Sequence, residues 1–365
     1  MLYHIHLLTT LGEHQRALDV LNSNSEFILD KTQFLQYRAN LLTALDSSEA
    51  AEAWHALISR NSDCKAYYDG YLKAKNAEEP LSTIDALASE FPRASVPLRL
   101  ALTLSSGEDF ESRVEAYLKN GLEKGIPSLF SDLKSLYSDV SKRDAVAKVA
   151  QGLKEKVKED PSTYLWTLYY LAQHFSFLGE QKQALEIVEQ AISHTPTLPD
   201  LYTLKGRILK RAGDLLGAAS AVNEARLLDG QDRFLNTKTG KYLLRAGLVD
   251  EASNILGLFT KVCSISLTRL SANPSQKDAA SPGADLEEMQ SLLYLLEAAR
   301  GHEKNGKLNL ALKKYMAVKK IYDDIEDDQY DFHGYNLRKF TLNAYLSCVY
   351  FPIFSAVAKG LPQFA

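Results

Sequence analysis

Two short segments of the sequence carry basic residues at the spacing of a helical face. The first segment contains Arg207, Lys210 and Arg211, at positions i, i+3 and i+4. The second contains Lys238, Lys241, Tyr242 and Arg245, at positions i, i+3, i+4 and i+7. Arg207 and Lys241 are 34 residues apart, which is the repeat period described below. Cations that converge without an acidic partner repel one another, so an anion is expected between them. Arg and Lys both bind phosphate, so a polyphosphate would suit these cations, but on spacing alone an ordinary solvated surface is the favoured interpretation.

Other candidate sites in the sequence are weaker. Asp331 and His333 could act as a metal-ligand pair, but no second pair of ligands is visible, and an acidic helix start with His333 as a surface or core histidine is the favoured explanation. The aromatic run Trp166–Tyr170 and the histidines His174 and His194 are expected to have packing roles. The sequence contains no G-x-S-x-G, phosphate-binding glycine loop, H-E-x-x-H or Cys-x-x-Cys pattern. We therefore expect neither a metal site nor an enzyme active site.

The segments that must position the basic residues repeat with a period of 34. Three columns of small residues share this period: Gly179, Gly213 and Gly247; Ala172, Gly206 and Gly240; and Ala184, Ala218 and Ala252. Such columns are typical of the tetratricopeptide helix–turn–helix repeat. The first column suits a left-handed turn after helix A, and the other two allow helices A and B to cross closely. The sequence thus predicts an all-α fold, a solenoid of tetratricopeptide-type helical hairpins forming a right-handed α-α superhelix.

The repeat pattern divides the chain into six predicted segments. Gly12 and Ala17 match the glycine and alanine columns, as do Asp46 and Ala51 one period later. The segments are two tetratricopeptide-like repeats at 1–63 with the first truncated, divergent helical repeats at 64–160, three clear repeats at 161–262, a flexible insertion at 263–285, a further repeat and helix at 286–350, and an unplaced apolar tail at 351–365. Because the chain opens inside a repeat, we expect it to be a fragment or to have a misassigned start.

Composition narrows the classes of partner. The net charge of −4 gives no reason to expect specific nucleic-acid binding. The three cysteines are far apart and match neither a metal spacing nor a disulfide framework, which favours a reducing compartment. No signal peptide and no unbroken apolar run of membrane-spanning length is present. A cytoplasmic protein without membrane contact is expected.

Several runs resemble those of one family, the large auxiliary subunit of the N-terminal acetyltransferase A complex. The similarity extends from about residue 2 to about residue 347. The runs that carry it are WTLYYLAQH at 166–174, TPTL at 195–198, DRFLNTK at 232–238, DDQYDFHGYNLRK at 327–339, and shorter matches at 91–93, 106–108 and 135–137. The chain starts partway through the family's array, lacks its carboxy-terminal half, and departs from its pattern at 351–365.

The resemblance implies a noncatalytic scaffold. Members of this family wrap a small acetyltransferase, modulate it, and tether the complex to the ribosome, where it acetylates the α-amino groups of nascent chains. Acetyl-CoA is held by the catalytic partner, and its signature [RQ]-x-x-G-x-[GA] does not occur in this sequence. The expected partners are therefore the catalytic subunit of N-terminal acetyltransferase A and, through the full-length complex, the ribosome.

The resemblance also implies a ligand for the basic residues. The family binds inositol hexakisphosphate where the two subunits meet. Matching positions in this chain are Arg207, Lys210, Lys238 and Tyr242, with Arg211 and Lys241 as neighbours. For the surface that faces the enzyme, we nominate Arg233 and Phe234, since an exposed Phe beside an Arg is a common interface anchor, with a core position for Phe234 as the alternative.

Two other functions remain open. A generic tetratricopeptide adaptor or co-chaperone would bind peptides on its concave face, and carboxylate-binding clamps of that kind also use Lys and Arg. Co-purification with a small acetyltransferase would distinguish the two. An enzyme with an unrecognised site would be revealed by acetyl transfer from the isolated chain to a peptide.

Overall fold

The computed structural model describes residues 2–76, 78–260 and 282–328, and the secondary structure of these residues is entirely helical. This confirms the predicted all-α class. Up to residue 160 the α-helices are α1 Leu2–Thr10, α2 His14–Ser23, α3 Lys31–Ala44, α4 Ala50–Arg60, α5 Lys65–Lys75, α6 Pro80–Glu90, α7 Val96–Leu104, α8 Gly107–Glu123, α9 Leu129–Leu133 and α10 Val140–Lys156, with a 3-10 helix at Lys134–Ser138.

The remaining helices contain the clear repeats. They are α11 Pro161–Leu178, α12 Gln181–His194, α13 Pro199–Ala212, α14 Leu215–Leu228, α15 Arg233–Ala246, α16 Val249–Leu256, α17 Pro282–Glu288, α18 Leu292–Lys304 and α19 Leu308–Asp328, with a 3-10 helix at Gly257–Phe259. The chain forms two compact units, one ending at Tyr170 and one beginning at Leu171. None of the described helices is both long enough and apolar enough to cross a membrane.

The predicted glycine turns are present. Gly179, Gly213 and Gly247 follow the first helix of their pairs with φ of 90°, 93° and 87°. The N–H of Gly213 donates to the carbonyls of Leu209 and Lys210, which would otherwise lack partners at the helix end. Because this backbone region is unfavourable for residues with a Cβ, glycine is the residue expected there. The first glycine column is therefore confirmed.

The two other small-residue columns lie where helices cross. A Cβ built on Gly206 would lie 2.4 Å from Cγ2 of Val222, and one on Gly240 would lie 2.4 Å from Cγ of Leu256. Ala184, Ala218 and Ala252 are completely buried on the second helices. Helices α13 and α15 thus approach their following helices more closely than a larger side chain would allow.

The second repeat follows the pattern with a longer turn. Asp46 takes the left-handed position with φ of 50°. The N-cap of α4 is Glu49, three residues later, whereas Glu13 caps α2 one residue after Gly12. The prediction that Ala51 is the buried crossing residue is therefore wrong, because Ala50 is buried and Ala51 is only partly buried.

Some predictions concern residues outside the described ranges. The metal-ligand hypothesis for Asp331 and His333 falls there, as do the apolar tail at 351–365 and most of the insertion at 263–285. The last four residues of that insertion, 282–285, begin helix α17 instead of continuing a flexible segment. The remaining segment boundaries stay a prediction.

Candidate functional site

Helix α13 carries the first three cations at positions outside its buried apolar residues. Pro199 begins the helix, where its missing N–H costs nothing, and Gly213 ends it. Leu201, Leu204 and Ile208 are buried against the neighbouring helices. Arg207, Lys210 and Arg211 fall between or beyond these positions, with Arg211 exposed and the other two partly buried.

Helix α15 carries the second set. The Asp232 carboxylate accepts a hydrogen bond of 2.7 Å from the Phe234 N–H and thereby caps the helix. Leu235, Thr239 and Leu243 are buried on one side. Lys238 and Lys241 are partly buried on the other side.

The structure brings the two sets together. The Lys210 ammonium lies 5.7 Å from the centroid of the Tyr242 ring, a cation–π contact that joins α13 to α15. Tyr242 is 7% exposed, and burial raises the pKa of its hydroxyl. We call Arg207, Lys210, Arg211, Lys238 and Lys241 the basic cluster.

Burial and neighbouring positive charges lower the pKa of two lysines. Burial, followed by the charge of Arg207, lowers the pKa of Lys238 to about 8, and Asp200 offsets this only in part. Burial also lowers the pKa of Lys210, with further contributions from Arg245, Arg211, Arg207 and Lys241. Both effects disfavour the charged ammonium, so a bound anion would relieve them.

Neighbouring cations outside the cluster are neutralised. The Arg245 guanidinium lies 3.5 Å from the Glu297 carboxylate, and the Lys205 ammonium lies 2.7 Å from that of Glu189. Within the described part of the chain, no cluster member forms such an ion pair. The prediction that this face lacks acidic partners is therefore wrong for Arg245, while the five cluster residues keep unpaired charges.

Two residues that the sequence analysis missed hold one cluster member in place. The Arg211 guanidinium donates a 2.9 Å hydrogen bond to Oγ of Ser176. That hydroxyl donates in turn to Oε1 of Gln181 at 3.2 Å. Residues on α11 and α12 thus orient a cation on α13, which fixes part of the cluster before any ligand binds.

The nominated interface residues lie beside the cluster. Phe234 is 64% exposed and Arg233 is also exposed. The Lys238 ammonium lies 5.0 Å from the Phe234 ring centroid, and the Arg233 guanidinium lies 5.4 Å from that of Phe259. Phe234 is thus not a core residue, and an exposed aromatic ring adjoins the unpaired cations.

The residues assigned to packing are mostly buried. Tyr169 is 7% exposed, Tyr170 is 2% exposed, and His174 is 1% exposed, with its ring 5.0 Å from that of Phe175. Trp166 is partly buried. His194 is exposed at the end of α12 and contacts the Thr195 hydroxyl, so the expected packing role is wrong for this residue. No group of three potential metal ligands occurs among residues 2–76, 78–260 and 282–328.

Comparison with known proteins gives the context of this site. The chain is 36% identical to the N-terminal acetyltransferase A complex auxiliary subunit NAA15 of Arabidopsis thaliana, over 96% of the chain and 40% of that protein. It is 34% identical to the human N-alpha-acetyltransferase 16, NatA auxiliary subunit, over 91% of the chain and 38% of that protein. The chain thus spans about two fifths of the length of these curated relatives.

A solved structure supports the same relationship. It is described as Naa15/Naa10 bound to HypK-THB, and it matches with a TM-score of 0.78 and 34% identity over 96% of this chain and 52% of that one. A sequence model of the family described as N-terminal acetyltransferase A, auxiliary subunit, matches residues 1–351. The chain belongs to the N-terminal acetyltransferase A auxiliary subunit family.

Proposed function

We propose that this chain is part of a noncatalytic scaffold that binds a small N-terminal acetyltransferase and uses the basic cluster to hold inositol hexakisphosphate. In this proposal acetyl-CoA is bound by the catalytic subunit only, and the complex acts on nascent chains at the ribosome in the cytoplasm. The observation that carries the proposal is the set of five unpaired cations on α13 and α15 in a member of this family.

The shape and charge of the cluster suit a compact polyphosphate. Phosphate groups arranged around a small ring can meet cations on two adjacent helices at once, whereas a single carboxylate can meet only one or two. Arg207 and Arg211 can each donate two parallel hydrogen bonds to a phosphate, and the lysines add point charges. Ser176 already orients the Arg211 side chain in the free chain, so less conformational entropy is lost when a ligand binds.

The same surface supports the assignment of the partner. A solved relative was determined with Naa10 bound. Phe234 offers an exposed aromatic side chain next to the cluster, and such side chains are enriched among the residues that dominate interface energy. A ligand that neutralises the cluster would allow a second protein to cover Phe234 without burying unpaired charges.

Co-purification tests the proposal. The chain is co-expressed with the catalytic subunit of N-terminal acetyltransferase A, and the complex is isolated through a tag on the catalytic subunit. We expect the wild-type chain to be retained, and Phe234→Ala to reduce retention at least severalfold. Retention should increase when inositol hexakisphosphate is added.

The matched control is Phe177→Ala, which removes another partly exposed aromatic ring from a different helix of the second unit and should leave retention unchanged. Failure of the wild-type chain to be retained with ligand present would contradict the proposal. It would favour a tetratricopeptide adaptor for other peptides.

A further inference from the structure

Lys238 differs from the other members of the basic cluster in its surroundings. Its ammonium lies 5.0 Å from the Phe234 ring centroid on its own helix, and Lys210 of α13 contacts Tyr242 one helical turn further along, so that the charges of Arg207 and Lys210 act on it. Asp200 is the carboxylate that acts on it, and the described residues place no ion pair on it. A lysine that is partly desolvated beside other cations is an activated nucleophile, because a larger fraction of it is the free amine.

The cluster also provides a means to concentrate a reagent. Arg207, Lys210 and Arg211 form a positive surface that attracts any phosphorylated molecule. Acyl thioesters that carry phosphate groups are such molecules, and their thioester carbon is the electrophile that a free amine attacks. Lys238 thus supplies a nucleophilic amine, and the cations beside it attract one class of acyl donor, the phosphorylated thioesters.

We propose that Lys238 is a site of acylation by phosphorylated acyl thioesters in the unassembled chain, and that acylation and polyphosphate binding exclude each other. The free amine attacks the thioester carbonyl carbon and forms a C–N bond. The C–S bond breaks, and the thiol leaves with the proton lost from the amine. The exclusion half of this inference rests on the proposed polyphosphate site.

The acylated residue would weaken the cluster in two ways. The amide carries no charge, so one of five cations is removed. The added acetyl group occupies space beside Phe234, at the edge where a ligand and a partner would both be accommodated. Acylation before assembly would therefore oppose both binding events.

The test uses the full chain with acetyl-CoA as the probe at pH 8, and measures the acetylation rate of each lysine by peptide mapping and mass spectrometry. At this pH a lysine with a pKa of about 8 is about half free amine, compared with roughly 0.4% for an ordinary lysine. Burial and the lower nucleophilicity of the amine offset part of this difference. We expect Lys238 to react at least about tenfold faster than Lys182, an exposed lysine on α12.

A parallel reaction with saturating inositol hexakisphosphate tests exclusion, and calorimetry with the same ligand tests binding independently. We expect the rate at Lys238 to fall at least about tenfold and the rate at Lys182 to stay unchanged. Equal rates at the two lysines without ligand would overturn the inference while leaving calorimetric binding intact. Selective acetylation without calorimetric binding would instead overturn the proposed polyphosphate site, and binding without protection would overturn the exclusion.

Discussion

At the scale of single residues, the surroundings of Lys238 disfavour the protonated form of its side chain. Burial and the charge of Arg207 lower its pKa to about 8, below the ordinary value for lysine. A polyphosphate bound as proposed would stabilise the charged form and raise that pKa again. We therefore expect the affinity contributed by Lys238 to be fully present well below pH 8 and to decline as the pH rises through 8.

Proton uptake on ligand binding should reveal this directly. At pH 8, binding of inositol hexakisphosphate should take up about half a proton at Lys238, since half of the free protein lacks that proton. Calorimetric titrations in two buffers with different ionisation enthalpies give the number of protons. Lys238→Arg is the control because a guanidinium is always charged. This substitution therefore keeps the positive charge and removes only the proton exchange at position 238. An equal proton count for wild type and Lys238→Arg would contradict this assignment, whatever protons the ligand itself exchanges.

The spacing in the sequence predicts which cations share a helical face, but not which of them form ion pairs or hydrogen bonds. The positions i, i+3 and i+4 place Arg207, Lys210 and Arg211 on one face of any helix, so that grouping follows from the sequence. Pairing of Arg245 with Glu297 could not be predicted, because the two residues are distant in the chain and meet only after α15 and α18 pack. The hydrogen bond from Arg211 to Ser176 likewise joins residues 35 apart.

At the scale of helices, small residues set how closely each pair packs. The 34-residue columns in the sequence predicted these positions, because only close helix crossings and left-handed turns demand small residues at a fixed period. The same rule misplaced the crossing residue of the second repeat. The period does not encode the local register of the helix, and in this repeat the buried position is Ala50, one residue earlier than the period places it.

Replacing a crossing glycine should destabilise the fold. In Gly206→Ala the new methyl group would overlap Val222, so the free energy of unfolding should fall by about 1–3 kcal/mol. Gly152→Ala is the matched control, because Gly152 lies inside helix α10 with no atom within 4 Å of the added Cβ. There, the higher helix propensity of Ala should raise the free energy of unfolding by about 0.5–1 kcal/mol. Urea denaturation of both variants tests this, and a stable Gly206→Ala protein would contradict the close crossing.

At the scale of the whole molecule, the basic cluster is a local concentration of positive charge on a chain whose net charge is negative. The chain carries a net charge of −4, so long-range attraction does not favour polyanions. The proposed binding of a polyphosphate would instead depend on the convergence of five cations on α13 and α15. Because most of them are partly buried, their interaction with a ligand should be screened by salt less than that of fully exposed charges.

The family relationship extends over the described helices, but the chain covers only 40% of its Arabidopsis relative. The basic cluster lies entirely on α13 and α15, and its member Arg211 is held by Ser176 on α11, all within the matched region. Polyphosphate binding can therefore be tested on this chain alone. The proposed roles in ribosome tethering and acetylation of nascent chains require tests with the complete assembly.

Calorimetric titration of inositol hexakisphosphate into the chain tests the central claim most directly. Wild type and Lys210→Glu/Lys238→Glu are compared with the control Lys182→Glu/Lys313→Glu, which has the same net charge but alters exposed lysines outside the cluster. We predict tight binding to wild type and control, with affinity at least about a hundredfold lower for the cluster variant, equivalent to about 2.7 kcal/mol. Equal affinity of the two double variants would show that the ligand senses only net charge. That result, or no binding to wild type, would contradict the assignment of the basic cluster as a polyphosphate site.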